Sequence, residues 1–386
     1  MDQMQLLSLL DEGIKSHFPR TMMLSDWMAD HPELSGEEVE ATARIIEMLK
    51  SAGFSVQENL LDLKTAFRAT IGSGEPRVAL LVECDALPEI GHACGHCLSA
   101  SMSVLAALAL APLMKEVKGT LEVIGTPAEE TFGAKCIMAE KGVFDGLALV
   151  VMIHASAKVS AVGYRSLALD GYRFSFKGRS SHAAASPWVG RSALSALELF
   201  FHAMALLRLQ SRPTARIHGI ICDGGSVTNV IPEKAASLFE LREIKRDYLN
   251  ELVSRACDCA HAAAIATETN VNWEKFMPSF DEMIPNPPGE RMVGDIYRDL
   301  GIQFERCSNP EGSSDIGNVS HRCPALQPML AVTSHDYALH TRDFAGILKE
   351  KEAHEALLKG GLVLGRIALR TFIDEKLRSE MSVILK

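Results

Sequence analysis

The sequence predicts an α/β fold, a mostly parallel sheet with helices on both faces, interrupted by an inserted α+β unit. Short aliphatic runs at residues 78–82, 120–124 and 148–153 alternate with helix-length segments at 96–115 and 134–141, the rhythm of parallel strands joined by crossover helices. From about residue 167 the order becomes strand, helix, strand, strand, helix, strand. The chain's 386 residues also exceed the roughly 250 to 300 at which one core stops growing, so two domains are the default.

Taken in order, Ser35-Gly36-Glu37-Glu38 reads as a capping box opening the amphipathic helix 39–49. The apolar run 102–114 is shorter than the ~20 residues that cross a bilayer, and reads as a buried helix. The insert begins with the strand Tyr172-Arg173-Phe174-Ser175-Phe176. It continues through a helix at 187–209, strands at 215–221 and 236–242, a helix at 247–266 and a strand at 270–275. Pro285, Pro287 and Pro288 end it, because three prolines this close cannot continue a helix or a central strand. Alternation then resumes with the apolar run 325–332 and a long helix at 343–376. The expected division is a first domain at 1–167 and 283–386 with an insert at 168–282.

A formal charge of −10 argues against a nucleic-acid surface, which needs clustered Lys and Arg to displace counterions. The first twenty residues lack the basic start and cleavage site of a signal peptide, so the expectation is a cytoplasmic protein with no membrane partner. Nine cysteines in such a chain read as thiols or ligands rather than disulfides.

Four constellations carry ligand chemistry, the first three following strand-like runs at the sheet edge where open α/β folds bind ligands. Glu83-Cys84-Asp85-Ala86-Leu87-Pro88 leads to His92-Ala93-Cys94-Gly95-His96-Cys97. Thiolate and imidazole suit a borderline-soft divalent ion, and Gly95 lets Cys94 and His96 point one way. By itself the pair reads equally well as buried turn residues, and Cys94-Gly95-His96-Cys97 also spells a thioredoxin-type dithiol. Glu129-Glu130 follows the 120–124 strand, where a neighbouring cation is the natural reason to hold two adjacent carboxylates and a solvated loop pair is the plainer reading. One can ligate while the other takes a proton. His154 closes the run 149–153, and in the fourth constellation, at 334–341, either His335 or His340 could add a fifth ligand, which spacing does not choose between.

With these residues the chain resembles the co-catalytic metallopeptidases of the M20 type, which include aminoacylase, glutamate carboxypeptidase and the amidohydrolases of aminobenzoyl-glutamate and auxin conjugates. The match runs in order through 32–38, 85–88, 92–96, 127–130, 178–183, 224–232 and 314–319. It is most similar to the aminobenzoyl-glutamate hydrolase and β-alanyl dipeptidase branch. The resemblance implies a zinc-peptidase-like catalytic domain with a ferredoxin-like lid or dimerisation insert, and an amide hydrolase of N-acyl amino acids, conjugates or dipeptides bearing a free carboxylate. It implies two divalent ions per subunit, zinc ahead of manganese, on Cys94, His96, Glu130, His154 and His340. It further implies Glu129 as general base, Asp85 behind the ligands, and His182 reaching a neighbouring subunit's site in a homodimer or higher oligomer. Asn229, Arg242 and His218 carry over as substrate contacts. Two departures stand out: Cys97 where the family has Asp or Asn, and Ala155 after the third ligand. Competing readings are a deaminase or other C–N hydrolase on the same ions, and a catalytically silent metabolite binder.

Overall fold

The structure is a computed structural model that describes residues 1–306, 309–310 and 312–385. Contacts divide the chain into two compact units: Met1–Arg165 with Met283–Pro310 and Asp315–Lys386, and an insert built on Ser166–Glu282.

The first unit opens with helix α1 (Gln3–Asp30), capped by Asp2, which accepts from the Gln5 backbone while the Gln5 side chain answers to the Asp2 N–H. Leu6, Leu10, Ile14, Leu24 and Met28 line its buried face at helical spacing. Each such fully buried side chain contributes roughly 1.5–3 kcal/mol. Helix α2 (Val39–Ser51), the hairpin β1 (Ser55–Glu58) and β2 (Phe67–Ser73), strand β3 (Arg77–Val82), helix α3 (His96–Leu110), β4 (Gly119–Gly125), α4 (Ala134–Glu140), β5 (Leu149–Val151), β6 (His154–Ser156) and β7 (Ser160–Ala161) follow.

The insert holds β8 (Ala168–Lys177), α5 (Ala193–Leu209), β9 (Arg216–Asp223), β10 (Lys234–Glu243), α6 (Arg246–Ala266) and β11 (Asn270–Lys275). Its antiparallel sheet has the order β11-β8-β10-β9, which is ferredoxin-like. Phe174, Phe176, Phe200 and Phe239 form the aromatic centre of its core. The chain then returns to the first unit as α7 (Pro287–Asp299), β12 (Phe304–Glu305), α8 (Ile316–Ser320), β13 (Ala325–Leu326), β14 (Met329–Ala331), α9 (Arg342–Gly346), α10 (Lys351–Ile373) and α11 (Glu375–Ser382).

The main sheet runs β1-β2-β4-β3-β5-β13, parallel from β4 through β13 and antiparallel at the β1-β2-β4 edge. Along β3, Val78, Leu80 and Val82 face one core, while Ala79 and Leu81 face another. Period-two alternation with both faces apolar is what buries a parallel strand on two sides. The segment His96–Lys115, α3 with the 3-10 turn that continues it, is long and apolar enough to cross a membrane, but it is almost wholly buried, with α3 packed against α1 and α10.

Three expectations are corrected. Ser35 and Glu38 form no capping box: helix α2 begins after Glu38, whose side chain does not cap it. Ser35 Oγ donates instead to Asp85 Oδ2 at 2.8 Å. The long helix at 343–376 is broken, because Ile347 and Leu348 turn into the core and Asp374 caps a new helix by accepting from Leu377 N at 2.9 Å. The run 325–332 contributes two short strands to two different sheets, β13 beside β5 and β14 beside β6.

Candidate metal centre

The cluster is assembled by loops at the carboxyl ends of β3, β4 and β5. Gly95 precedes α3 with φ +81°, and a Cβ there would sit 2.6 Å from Ala155 Cβ. Only glycine combines that backbone with that close approach, and it places Cys94 and His96 together at the helix start. Glu129 and Glu130 follow Ala128, held at φ +58°. His340 has φ +61° and its N–H donates to Ala93 O at 2.9 Å. Two non-glycine residues in the left-handed region, one a candidate ligand and the other just before Glu129, are strain that the surrounding bonds must sustain.

Cys94 Sγ lies 3.4 Å from His154 Nε2 and 3.4 Å from His340 Nε2, and His340 Nε2 lies 3.6 Å from Glu130 Oε1. Three groups of ligand atoms result, each within 4.8 Å: Cys94 with His96 and His154, Cys94 with Glu130 and His340, and His96 with Glu129 and Glu130. Cys94 belongs to two of these groups. Of the two histidines near the fourth constellation, the fold brings His340 to the cluster.

Hydrogen bonding sets the ring chemistry. His96 Nδ1 donates to Asp85, 3.0 Å from its carbonyl O and 3.1 Å from Oδ1, while His154 Nδ1 donates to Ala155 O at 2.8 Å. Each ring therefore turns its Nε2 toward the cluster; burial opposes charge on His96, but Cys94 and Asp85 outweigh it and hold that ring well above the usual imidazole range. Asp85 Oδ2 accepts from Ser35 and from the Glu130 N–H at 3.0 Å, so one carboxylate orients a histidine, a glutamate and a loop. Burial opposes charge on Asp85, but His96 and these donors outweigh it and hold the carboxyl well below the usual range. Burial, reinforced by Glu83, pushes the Glu129 carboxyl up to about 7. Burial with His96 nearby lowers His154 to about 3, leaving it neutral.

The donor set fits divalent cations. His96 Nε2 and Glu130 Oε1 are buried without hydrogen-bond partners, a cost that a bound cation would remove. Thiolate, imidazole and carboxylate together suit zinc-like ions. The dithiol reading fares worse: burial raises both Cys94 and Cys97 to about 12, whereas a redox thiol needs a lowered value.

The remaining candidates lie in the insert. His182 Nδ1 accepts from the backbone N–H groups of Ala184 and Ala185 at 3.2 and 3.0 Å. Its proton therefore sits on Nε2, making it a hydrogen-bond donor. Asn229 O accepts from Ala183 N at 3.0 Å, fastening the loop beside His182. His218 and Arg242 meet over Glu240, at 3.1 and 2.8 Å, and Arg242 also donates to Ser313 Oγ at 3.3 Å.

Sequence reasoning gave no role at the cluster to four buried residues around it. Glu38 accepts from Gly36 N, Ala128 N and Thr65 Oγ1, and so pins the loop that carries Glu129 and Glu130. Glu83, Lys135 and Asp315 form a charged group with no exposure. The one available signal was a lysine inside the apolar segment Ala134–Glu140.

Fold and site together define a metal-dependent hydrolase of amide bonds. Residues 80–352 match the family described as Peptidase family M20/M25/M40. The chain is 34% identical over 362 residues to the Xaa-Arg dipeptidase of Mus musculus, spanning 89% of this chain and 83% of that one. It is 31% identical over 302 residues to one of the subunits of p-aminobenzoyl-glutamate hydrolase from Escherichia coli, spanning 73% of this chain and 63% of that one. Its fold superposes on the Bacillus subtilis YXEP protein, a dinuclear metal binding peptidase, with a TM-score of 0.70 at 21% identity, covering 93% of this chain and 99% of that one. The chain belongs to the M20/M25/M40 peptidase family.

Proposed function

We propose that the chain holds two divalent ions per subunit and cleaves the amide of a dipeptide, an N-acyl amino acid or an aminobenzoyl-glutamate-like conjugate that carries a free carboxylate. The observation that carries this reading is Cys94 Sγ, common to two groups of candidate ligands, with Glu129 beside them in a third. Cys94, His96 and His154 would hold one ion, and Cys94, Glu130 and His340 the other. The bound ions would polarise the scissile carbonyl and lower the pKa of water from 15.7 toward about 7. The cysteine favours zinc, with manganese second. Asp85 orients His96 and Glu130.

Glu129 takes the proton of the attacking water on a carboxylate oxygen and returns it to the leaving nitrogen. His182, with its proton on Nε2, donates to the carbonyl oxygen as negative charge develops there, a contribution of about 3–4 kcal/mol for a preorganised donor. Asn229, Arg242 and His218 are the proposed substrate contacts. His182 acts on the site of a second copy in a homodimer. Strand β9 supports this, being an edge of the insert sheet with Ile220 and Ile221 exposed, and helix α5 exposes Leu206 and Leu209. Eight described free cysteines support a cytoplasmic setting.

The test is metal analysis of the purified chain with a screen of Xaa-Arg dipeptides, aminobenzoyl-glutamate and N-acyl amino acids, in wild type, Glu129→Gln and His182→Ala. About two metals per chain, with hydrolysis abolished in Glu129→Gln but metal retained, is the expected outcome. Co-expressing the two variants should recover part of the activity if His182 serves its partner. Absence of metal after reconstitution overturns the proposal.

A further inference from the structure

Glu83 at the end of β3, Lys135 in α4 and Asp315 just ahead of α8 come together with side chains 0–1% exposed. Lys135 Nζ is 2.6 Å from Asp315 Oδ1 and makes a second, very short ion pair with Glu83 Oε1. Asp315 Oδ2 also accepts the Lys135 backbone N–H at 3.1 Å. Removing such charges from water costs several kcal/mol per ion, and apolar replacements of buried pairs are often neutral or stabilising. Stability alone is therefore a poor reason for this group.

Its position supplies another reason. Glu83 Oε2 makes no hydrogen bond and lies 3.7 Å from His96 Nε2. With Nδ1 donating to Asp85, Nε2 is the atom that meets Glu83, and it carries either a proton or, in the neutral ring, a lone pair. A lone pair facing a carboxylate oxygen is repulsive unless positive charge adjoins both. At 3.7 Å the two atoms are close enough for one cation to adjoin both. Without the Lys135 ammonium, Glu83 and Asp315 would repel and Glu83 would leave this position.

We infer that Lys135 is a positioning residue: clamped to Asp315, it holds the free oxygen of Glu83 beside His96 Nε2 and so raises cation affinity on the His96 side of the cluster. The inference rests on the binuclear reading above, and it assigns Glu83 as a further anionic contact on that side.

The test is a titration of the metal-free full-length protein with Co²⁺, read by cobalt absorption against a competing chelator, which needs no substrate. Glu83→Gln and Lys135→Met should weaken one of two cobalt-binding steps by about 10–100-fold, the effect expected when a partner behind a ligand is lost. The other step should stay within about threefold, and Lys135→Arg should restore most of the loss. On the substrate that wild type cleaves, kcat should fall while KM moves less than about twofold. Should Lys135→Met fail to fold, the near-isosteric Glu83→Gln decides. Folded Glu83→Gln with both cobalt steps unchanged reduces the group to a structural role and overturns the inference. Two cobalt steps in a wild type that hydrolyses nothing, one of them weakened in Glu83→Gln, uphold the inference while defeating the hydrolase reading. A wild type that takes up no cobalt overturns both.

Discussion

Asp85 grips His96 twice, with its carbonyl oxygen and with Oδ1, while its remaining carboxylate oxygen accepts the backbone N–H of Glu130. One side chain therefore sets the ring of a histidine from the β3–α3 connection and the loop of a glutamate after β4. The arrangement makes Asp85 the point through which two candidate ligands share one orientation.

Replacing Asp85 by Asn should break this sharing, because an amide cannot accept on both ends from Ser35, Glu130 and His96. The expected loss is about 10–100-fold in metal affinity, measured by chelator competition, with little change in far-UV dichroism. Unchanged affinity would show that His96 and Glu130 are held well enough by their backbones.

Gly95→Ala should be costly on two counts. Alanine at φ +81° costs roughly 1–2 kcal/mol, and relieving the clash with Ala155 roughly another 1–3 kcal/mol. Denaturant unfolding should show a loss in this range, and metal content should fall because Cys94 and His96 flank the displaced residue. Gly74→Ala is the control: its φ is also positive, but no atom lies within 4 Å of the added Cβ.

Stripping the ions should lower the unfolding temperature of the wild type. Ligands that bind only the native state stabilise it by RT ln(1 + [L]/Kd), about 2.7 kcal/mol per site at a hundredfold excess over Kd. Calorimetry with and without chelator measures the loss, and re-addition should reverse it. Cys94→Ala should show a much smaller difference, since Cys94 serves both ligand groups.

Acid should weaken the insert through Glu240. Burial works to raise its carboxyl, but Arg242 and His218 more than offset this and the folded value is lowered. A lowered folded value gives stability that is present above the unfolded carboxyl pKa and lost as pH falls through the folded one. The wild-type unfolding temperature should therefore drop more steeply below about pH 4.5 than that of Glu240→Gln, from the model-peptide range for glutamate. Parallel acid limbs would show that the Glu240 contacts contribute nothing to folding.

Much of the fold was legible because its signals are local. The aliphatic run 78–82 needs only β-branched and aliphatic side chains to be read as a strand, and the insert's strand and helix order follows from periodicity within each segment. The errors fell where a local pattern had a distant competitor. Ser35 and Glu38 spell a capping box, but the Asp85 carboxylate and the Ala128 N–H are stronger partners than the helix end. Residues 343–376 keep helical periodicity throughout, yet burial of Ile347 and Leu348 and the cap at Asp374 divide them.

By itself the sequence determined which residues have ligand chemistry, because thiol, imidazole and carboxylate are properties of composition, and strand-end placement marks one edge of the sheet. Spacing left His335 and His340 open and the family resemblance implied His340; the tertiary structure brings His340 to Cys94, and it alone decided that Cys94 belongs to two ligand groups and that Glu38, Glu83, Lys135 and Asp315 enclose the cluster. These facts depend on pairings tens to hundreds of residues apart, such as His340 with Cys94 and Asp315 with Lys135. Sequence periodicity carries no distance across a fold, whereas packing fixes it to a few tenths of an ångström.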